Sequence, residues 1–214
     1  MNGLCGARRG VVGVALIGVF ASAASLEAQD RAFHGVYLGV EAALEDLIGG
    51  SLVDGIDVLA QDDRRVVSVM GGARYQASWG LVIGAEGTIG VTDGDLAHTN
   101  PDGGLSVQYT NSRQTSLGAQ VGYAFRTSTP VLLFAYASEV TRRFDVRVTR
   151  GAAEFDQTDE QGMLRYGIGA EIGVVHGLRV RARVGSGRAD FGSAITNFAP
   201  EPTTQFGFAV VYHF

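Results

Sequence analysis

The last twelve residues, Thr203-Thr204-Gln205-Phe206-Gly207-Phe208-Ala209-Val210-Val211-Tyr212-His213-Phe214, admit few folds. Every second residue from the end gives Phe214, Tyr212, Val210, Phe208 and Phe206, while His213, Val211, Ala209, Gly207 and Gln205 lie between them. One set is large and apolar with aromatics at both ends; the other is small or polar. Successive side chains of a strand point to opposite faces, so this spacing predicts a strand of about ten residues that runs to the terminal carboxylate. In a soluble sandwich the aromatic face needs a second sheet to cover it. In a membrane barrel hydrocarbon covers it, and the small or polar face looks into a filled lumen.

Composition favours the membrane reading. Charged residues make up 18% of the 214-residue chain and hydrophobic ones 46%, apolar for a soluble domain but far from a helical membrane bundle. Gly is so frequent, at 31 residues, that many must lie inside strands. All 17 basic residues are Arg, and the formal charge of -5 leaves no basic footprint for nucleic acid. An Arg fork meets a carboxylate through two hydrogen bonds, which suits buried pairing. Arg8 and Arg9 precede the apolar run Val11–Ala21 and the small residues Ser22–Ser25, the pattern of a secretory signal peptide. The expected domain plan is a signal peptide over residues 1–28, cut after Ala28 with Ala23 as the second choice, and a barrel over 29–214. Cys5 precedes the apolar core and so is not a lipoprotein cysteine, and the remaining chain has no Cys for a disulfide. No later apolar run approaches helix-spanning length. A chain that crosses lipid without such runs must close its strands into a barrel, because lipid cannot satisfy open edges.

Alternation places seven more strands. They run from Phe33 to Leu44, Arg64 to Ala77, Leu81 to Thr92, through Thr115–Phe125, from Val131 to at least Val140, from Gly162 to Val174 and from Leu178 to Val184. Long polar stretches follow the first, third, fifth and seventh strands; short turns follow the second, fourth and sixth. This predicts an all-β, eight-stranded antiparallel up-and-down transmembrane barrel with short periplasmic turns, long outer loops and both termini in the periplasm. Pro101, Pro130, Pro200 and Pro202 all fall in connections or at a strand start, where a missing N–H is harmless.

The inward positions on this reading carry Glu41, Arg74, Glu86, Gln120, Glu139, Arg165, Glu171, Arg179, Arg181 and Arg183. An eight-stranded barrel is just wide enough for side chains to fill it, and a buried unpaired charge costs several kcal/mol. The expectation is an interior ladder of Arg–carboxylate pairs that plugs the lumen, with Gly making room. In the fifth strand the register is ambiguous, and Glu139 is placed inside, opposite Phe134 and Tyr136. Tyr75, Trp79, Tyr123, Phe125, Tyr212 and Phe214 fall at one end, as an interfacial aromatic girdle would. No catalytic, cofactor or metal residue emerges. His34, His98, His176 and His213 have no zinc spacing and no nearby Ser or Asp partner; His176 and His213 read as interfacial polar groups. The acids Asp54, Asp57, Asp62, Asp63, Glu154, Asp156, Asp159 and Glu160 match no cation loop and read as solvated charge.

The stretches Gly35-Val36-Tyr37-Leu38-Gly39-Val40, Val82-Ile83-Gly84-Ala85-Glu86-Gly87, Leu117–Phe125 and the closing Tyr212-His213-Phe214 resemble the small eight-stranded bacterial outer-membrane barrels of the OmpA transmembrane-domain and OmpX class, and the porin-like "outer membrane protein beta-barrel domain" group above all. The resemblance covers the whole chain after the signal peptide. It implies an outer-membrane location, contact with membrane lipid and lipopolysaccharide, and handling by the assembly machinery and periplasmic chaperones. It also implies that Phe206, Phe208, Val210, Tyr212 and Phe214 form the insertion signal. No cofactor is implied, and with the chain stopping at Phe214 a cell-wall-anchoring domain is not expected. The expected role is structural or interactive through the outer loops. A narrow conduit for small or hydrophobic solutes is the alternative, and a lipid-modifying enzyme the third reading.

Overall fold

The structure, a computed structural model, describes residues 31–53, 56–100, 104–125, 127–190 and 202–214. The segment expected to be a signal peptide, residues 1–28, and its expected cleavage point lie outside these residues. The strands are β1 (Gly35–Val53), β2 (Ile56–Gln76), β3 (Leu81–Thr92), β4 (Leu96–Asn100), β5 (Leu105–Phe125), β6 (Val131–Arg150), β7 (Ala153–Val175), β8 (Leu178–Asp190) and β9 (Pro202–His213). All pairings are antiparallel. β1 pairs with both β2 and β9, and β3 pairs directly with β5, so eight strands close into a ring and β4 stays outside it. Closure is what removes the unpaired edges that lipid would punish.

Alternation sorts the side chains. Phe208, Ile168 and Val180 are 67%, 63% and 45% exposed, and no second layer among the described residues covers them. Their alternates Arg181, Gln205 and Val211 are buried. Tyr123 meets Phe125 edge to face, and Tyr212 meets Phe214 likewise, on the outside at the end that carries the short turns and the chain terminus.

Three expectations need correction. First, two of the long polar stretches are paired strand rather than loop. β1 and β2 stay in register to Val53↔Ile56, and β6 and β7 to Arg150↔Ala153. A hairpin standing in water needs no apolar outer face, so these segments lack the alternation that marks a strand in lipid. Second, β4 was not foreseen. It pairs with the top of β5, and a bulge between Thr110 and Arg113 turns that strand's faces over. Leu105, Val107 and Tyr109 point inward above the bulge; Gln114 and Gln120 do so below it.

Third, Glu139 lies on the outer, exposed face between Leu117 and Leu164, while Phe134 and Tyr136 are inside. Space decides this register. Phe134 faces Gly122 and Gly169 across its two neighbours, and Tyr136 faces Gly167. A Cβ on Gly122 or Gly169 would strike the Phe134 side chain, and one on Gly167 or Gly185 would strike Tyr136. These glycines give the inner face of this part of the barrel room for two rings.

Candidate functional site: a lumen filled in four tiers

The lumen is the part of the molecule where polar side chains are buried. At the end that holds the termini, Phe33 turns into the mouth and is fully buried. Its N–H donates to Gln76 Oε1 at 2.9 Å. Its ring joins Val82, Ala124, Leu132 and Phe134 in an apolar floor. Arg179 reaches this floor from β8, lies 5.7 Å from the Phe33 ring centre and donates to the carbonyls of Ala32 and Leu178, each at 3.1 Å.

The second tier draws on seven strands. Arg74 Nη1 donates to Glu171 Oε2 at 2.9 Å, and Nη2 donates to Gln120 Oε1 at 2.9 Å. Arg181 Nε donates to the same Glu171 oxygen at 2.8 Å, and its Nη1 donates to Glu86. Arg183 spans Glu86 at 3.2 Å and Glu41 at 2.5 Å. Tyr37 Oη donates to Glu86 Oε2 at 2.7 Å and accepts from Gln120 Nε2 at 2.7 Å. Its ring lies 4.5 Å from the Arg74 guanidinium and is stacked on His213 at 5.2 Å. His213 Nε2 reaches Glu171 Oε1 at 3.0 Å. Three guanidinium groups thus face three carboxylates, and the tier is neutral. Gly72 makes room for it, because a Cβ there would come within 2.5 Å of Tyr37 Oη.

Above it Glu45 Oε1 accepts from both Arg142 and Arg165, and Arg142 also donates to Gln114 Oε1 at 3.0 Å. The fourth tier is apolar again. Leu96, Leu105, Val107, Tyr109, Phe144, Val146 and Val148 close over the ring from β4 and from the extended parts of β5 and β6. A cavity of about 20 Å³ remains beside Arg183 and Tyr136, roughly the space of one water.

Glu41, Arg74, Glu86, Arg165, Glu171, Arg181 and Arg183, all singled out from alternation, meet inside the ring. Arg179 is only partly buried and has carbonyl rather than carboxylate partners; Glu139 is outside. His213 is a lumen residue, not an interfacial one, since the aromatic positions of β9 point outward and force their alternates in. Glu45, Arg142 and Tyr37 were missed as members. Tyr37 is four positions before Glu41 and Glu45 four positions beyond it, so both share its face in an alternating strand. Arg142 needed the register of β6. Of the acids read as solvated, Glu154 and Asp156 share Arg147 at 2.9 and 3.1 Å, and Asp62 pairs with Arg64 at 2.8 Å. Among the described residues there is no metal-holding group of His, Cys, Asp and Glu, and no helix long and apolar enough to cross a membrane.

One solved structure and a family match agree with the ring. The crystal structure of Ail, the attachment invasion locus protein of Yersinia pestis, in complex with the heparin analogue sucrose octasulfate, is similar with a TM-score of 0.51 at 12% identity, covering 85% of this chain and 99% of that one. Neisserial surface protein A gives 0.43 at 17% identity over 84% of this chain and 97% of that one. The N-terminal β-barrel domain of Pseudomonas aeruginosa OprF gives 0.44 at 12% over 83% and 97%. No curated protein matches. The outer membrane protein beta-barrel domain family matches residues 13–214, nearly the whole chain. The closed antiparallel ring with its apolar outside agrees with that match, and this chain belongs to the outer membrane protein beta-barrel domain family.

Proposed function

We propose that this protein is a closed, non-catalytic outer-membrane barrel that acts through its outer hairpins, with its signal peptide removed after Ala28 and both termini in the periplasm. The four-tier filling of the lumen carries this reading. A solute would have to break the Arg74–Glu171–Arg181–Glu86 set, whose members lose their hydrogen bonds and gain nothing of equal strength from a passing molecule. The paired hairpins β1–β2 and β6–β7 rise well past the ring and present exposed polar residues for contact. The shape of β9 supports the role of Phe206, Phe208, Val210, Tyr212 and Phe214 as the insertion signal, since all five are exposed on one face. The partners on this reading are outer-membrane lipid and lipopolysaccharide, with the assembly machinery and periplasmic chaperones during biogenesis.

Conductance in planar bilayers tests the closed barrel. A flat trace at moderate voltage is expected. Sustained single-channel steps would overturn it and favour a narrow conduit for small solutes.

A further inference from the structure

Apart from Glu139, the outward face of β5 and β6 is apolar from the girdle upward and then changes character. Tyr123 faces Leu133 at the bottom; at the top Thr115 faces Thr141, and Arg113 faces Arg143. From Tyr123 to Arg113 is ten residues. At about 3.3 Å per residue and a strand tilt of about 40°, that rises about 25 Å, the height of the apolar band of such barrels. The two arginines therefore stand at the level of the lipid headgroups on the side away from the termini.

Their pairing is unfavourable as it stands. Like charges directly opposite on neighbouring strands repel. Both side chains are exposed, and neither has a hydrogen-bond or ion-pair partner among the described residues. Glu160 is level with Arg143 on β7, yet no ion pair joins them. An anion shared by the two guanidinium groups would convert the repulsion into two charge-assisted hydrogen bonds. The threonine hydroxyls beneath offer further hydrogen bonds on the side of the acyl chains.

We propose that Arg113 and Arg143, with Thr115 and Thr141 below them, form a binding site for the phosphate of a phosphorylated saccharide lipid in the outer leaflet. The site rests on the outward orientation of this end proposed above.

The test uses the refolded mature protein in detergent, titrated with bisphosphorylated lipid A, the same lipid dephosphorylated, phosphatidylglycerol and inorganic phosphate, with bound lipid read by native mass spectrometry. Bisphosphorylated lipid A should bind about tenfold or more tighter than the dephosphorylated form, the range that charge-assisted hydrogen bonds supply. R113Q/R143Q should lose that ratio, R65Q should keep it, and E160Q should raise it. Equal binding by R113Q/R143Q, equal binding of the dephosphorylated lipid, or equal binding of phosphatidylglycerol or free phosphate would each overturn the site. Orientation is read separately by labelling A153C on intact cells with a membrane-impermeant maleimide. Labelled cells with no phosphate preference would sink the lipid site and leave the orientation standing.

Discussion

Replacing Glu171 by Gln separates interior charge from outer charge. Glu171 is fully buried and serves Arg74 at 2.9 Å, Arg181 at 2.8 Å and His213 at 3.0 Å. Gln keeps the shape and one acceptor oxygen but removes the charge. Glu86 still serves Arg181 and Arg183, so Arg74 is the cation left with an amide, Gln120, and no carboxylate. Removing one partner of a buried pair costs about 3–5 kcal/mol, because it strands the other charge. Against a total stability of about 5–15 kcal/mol that is a large share. With a urea dependence of about 2 kcal/mol per molar, the unfolding midpoint should fall by roughly 1.5–2.5 M. Unfolding from lipid vesicles can be followed by the fluorescence of Trp79, the only Trp, which is 63% exposed at the girdle. E139Q is the matched control on the lipid face and should leave the midpoint unchanged or raise it, since it removes an unpaired charge from hydrocarbon. A loss below about 1 kcal/mol for E171Q, or a greater loss for E139Q, would refute the neutral-tier account. Adding R74M to E171Q should recover much of the loss, as apolar replacement of a whole buried pair often does.

Phe33→Ala should cost about 3–5 kcal/mol in the same titration by opening a cavity in the floor, yet leave the bilayer trace flat, because the second tier still fills the section; steady steps would assign the seal to Phe33 alone. Tyr136→Phe removes a buried hydroxyl that has no partner among the described residues and should be neutral or stabilising by up to about 1 kcal/mol; a clear loss of stability would mean the hydroxyl is satisfied in solution. Outside the membrane, the hydrogen bond that protonated Asp63 donates to Asp46, together with the negative charge of Asp46, raises the pKa of Asp63 from 3.8. A raised carboxyl pKa favours the folded hairpin at low pH, and that contribution is lost as pH climbs from 3.8 through the raised folded value. Hydrogen-exchange protection factors around Asp46 and Asp63, corrected for the intrinsic pH dependence of exchange, should therefore rise on acidification in the wild type and stay level in D63N; identical protection profiles would refute the pair.

The ring was legible in the sequence wherever a strand has lipid on one side and lumen on the other. Phe206, Phe208 and Val210 against Gln205, Gly207 and Ala209 is a contrast that only such a surface demands. Leu178, Val180 and Ala182 against Arg179, Arg181 and Arg183 is another. Two kinds of position were not legible. In β6, Phe134 and Tyr136 alternate with Leu133 and Ala135, so both faces read as apolar, and a local rule that sends charge inward puts Glu139 on the wrong side. In the outer hairpins one face meets water and the other a small cap, so polar residues such as Asp62, Asp63 and Glu154 hide the strands that carry them.

By itself the order of residues determined the strand period, the closure into a membrane ring and the charged character of its inside, because those follow from which side chains hydrocarbon will accept. The partners inside that ring were decided only by the tertiary structure. Whether an aromatic or a carboxylate enters at β6 depends on glycines of β5, β7 and β8 that lie far away in the chain. Which carboxylate serves which arginine depends on the registers of six strands at once, and no one of them contains that information.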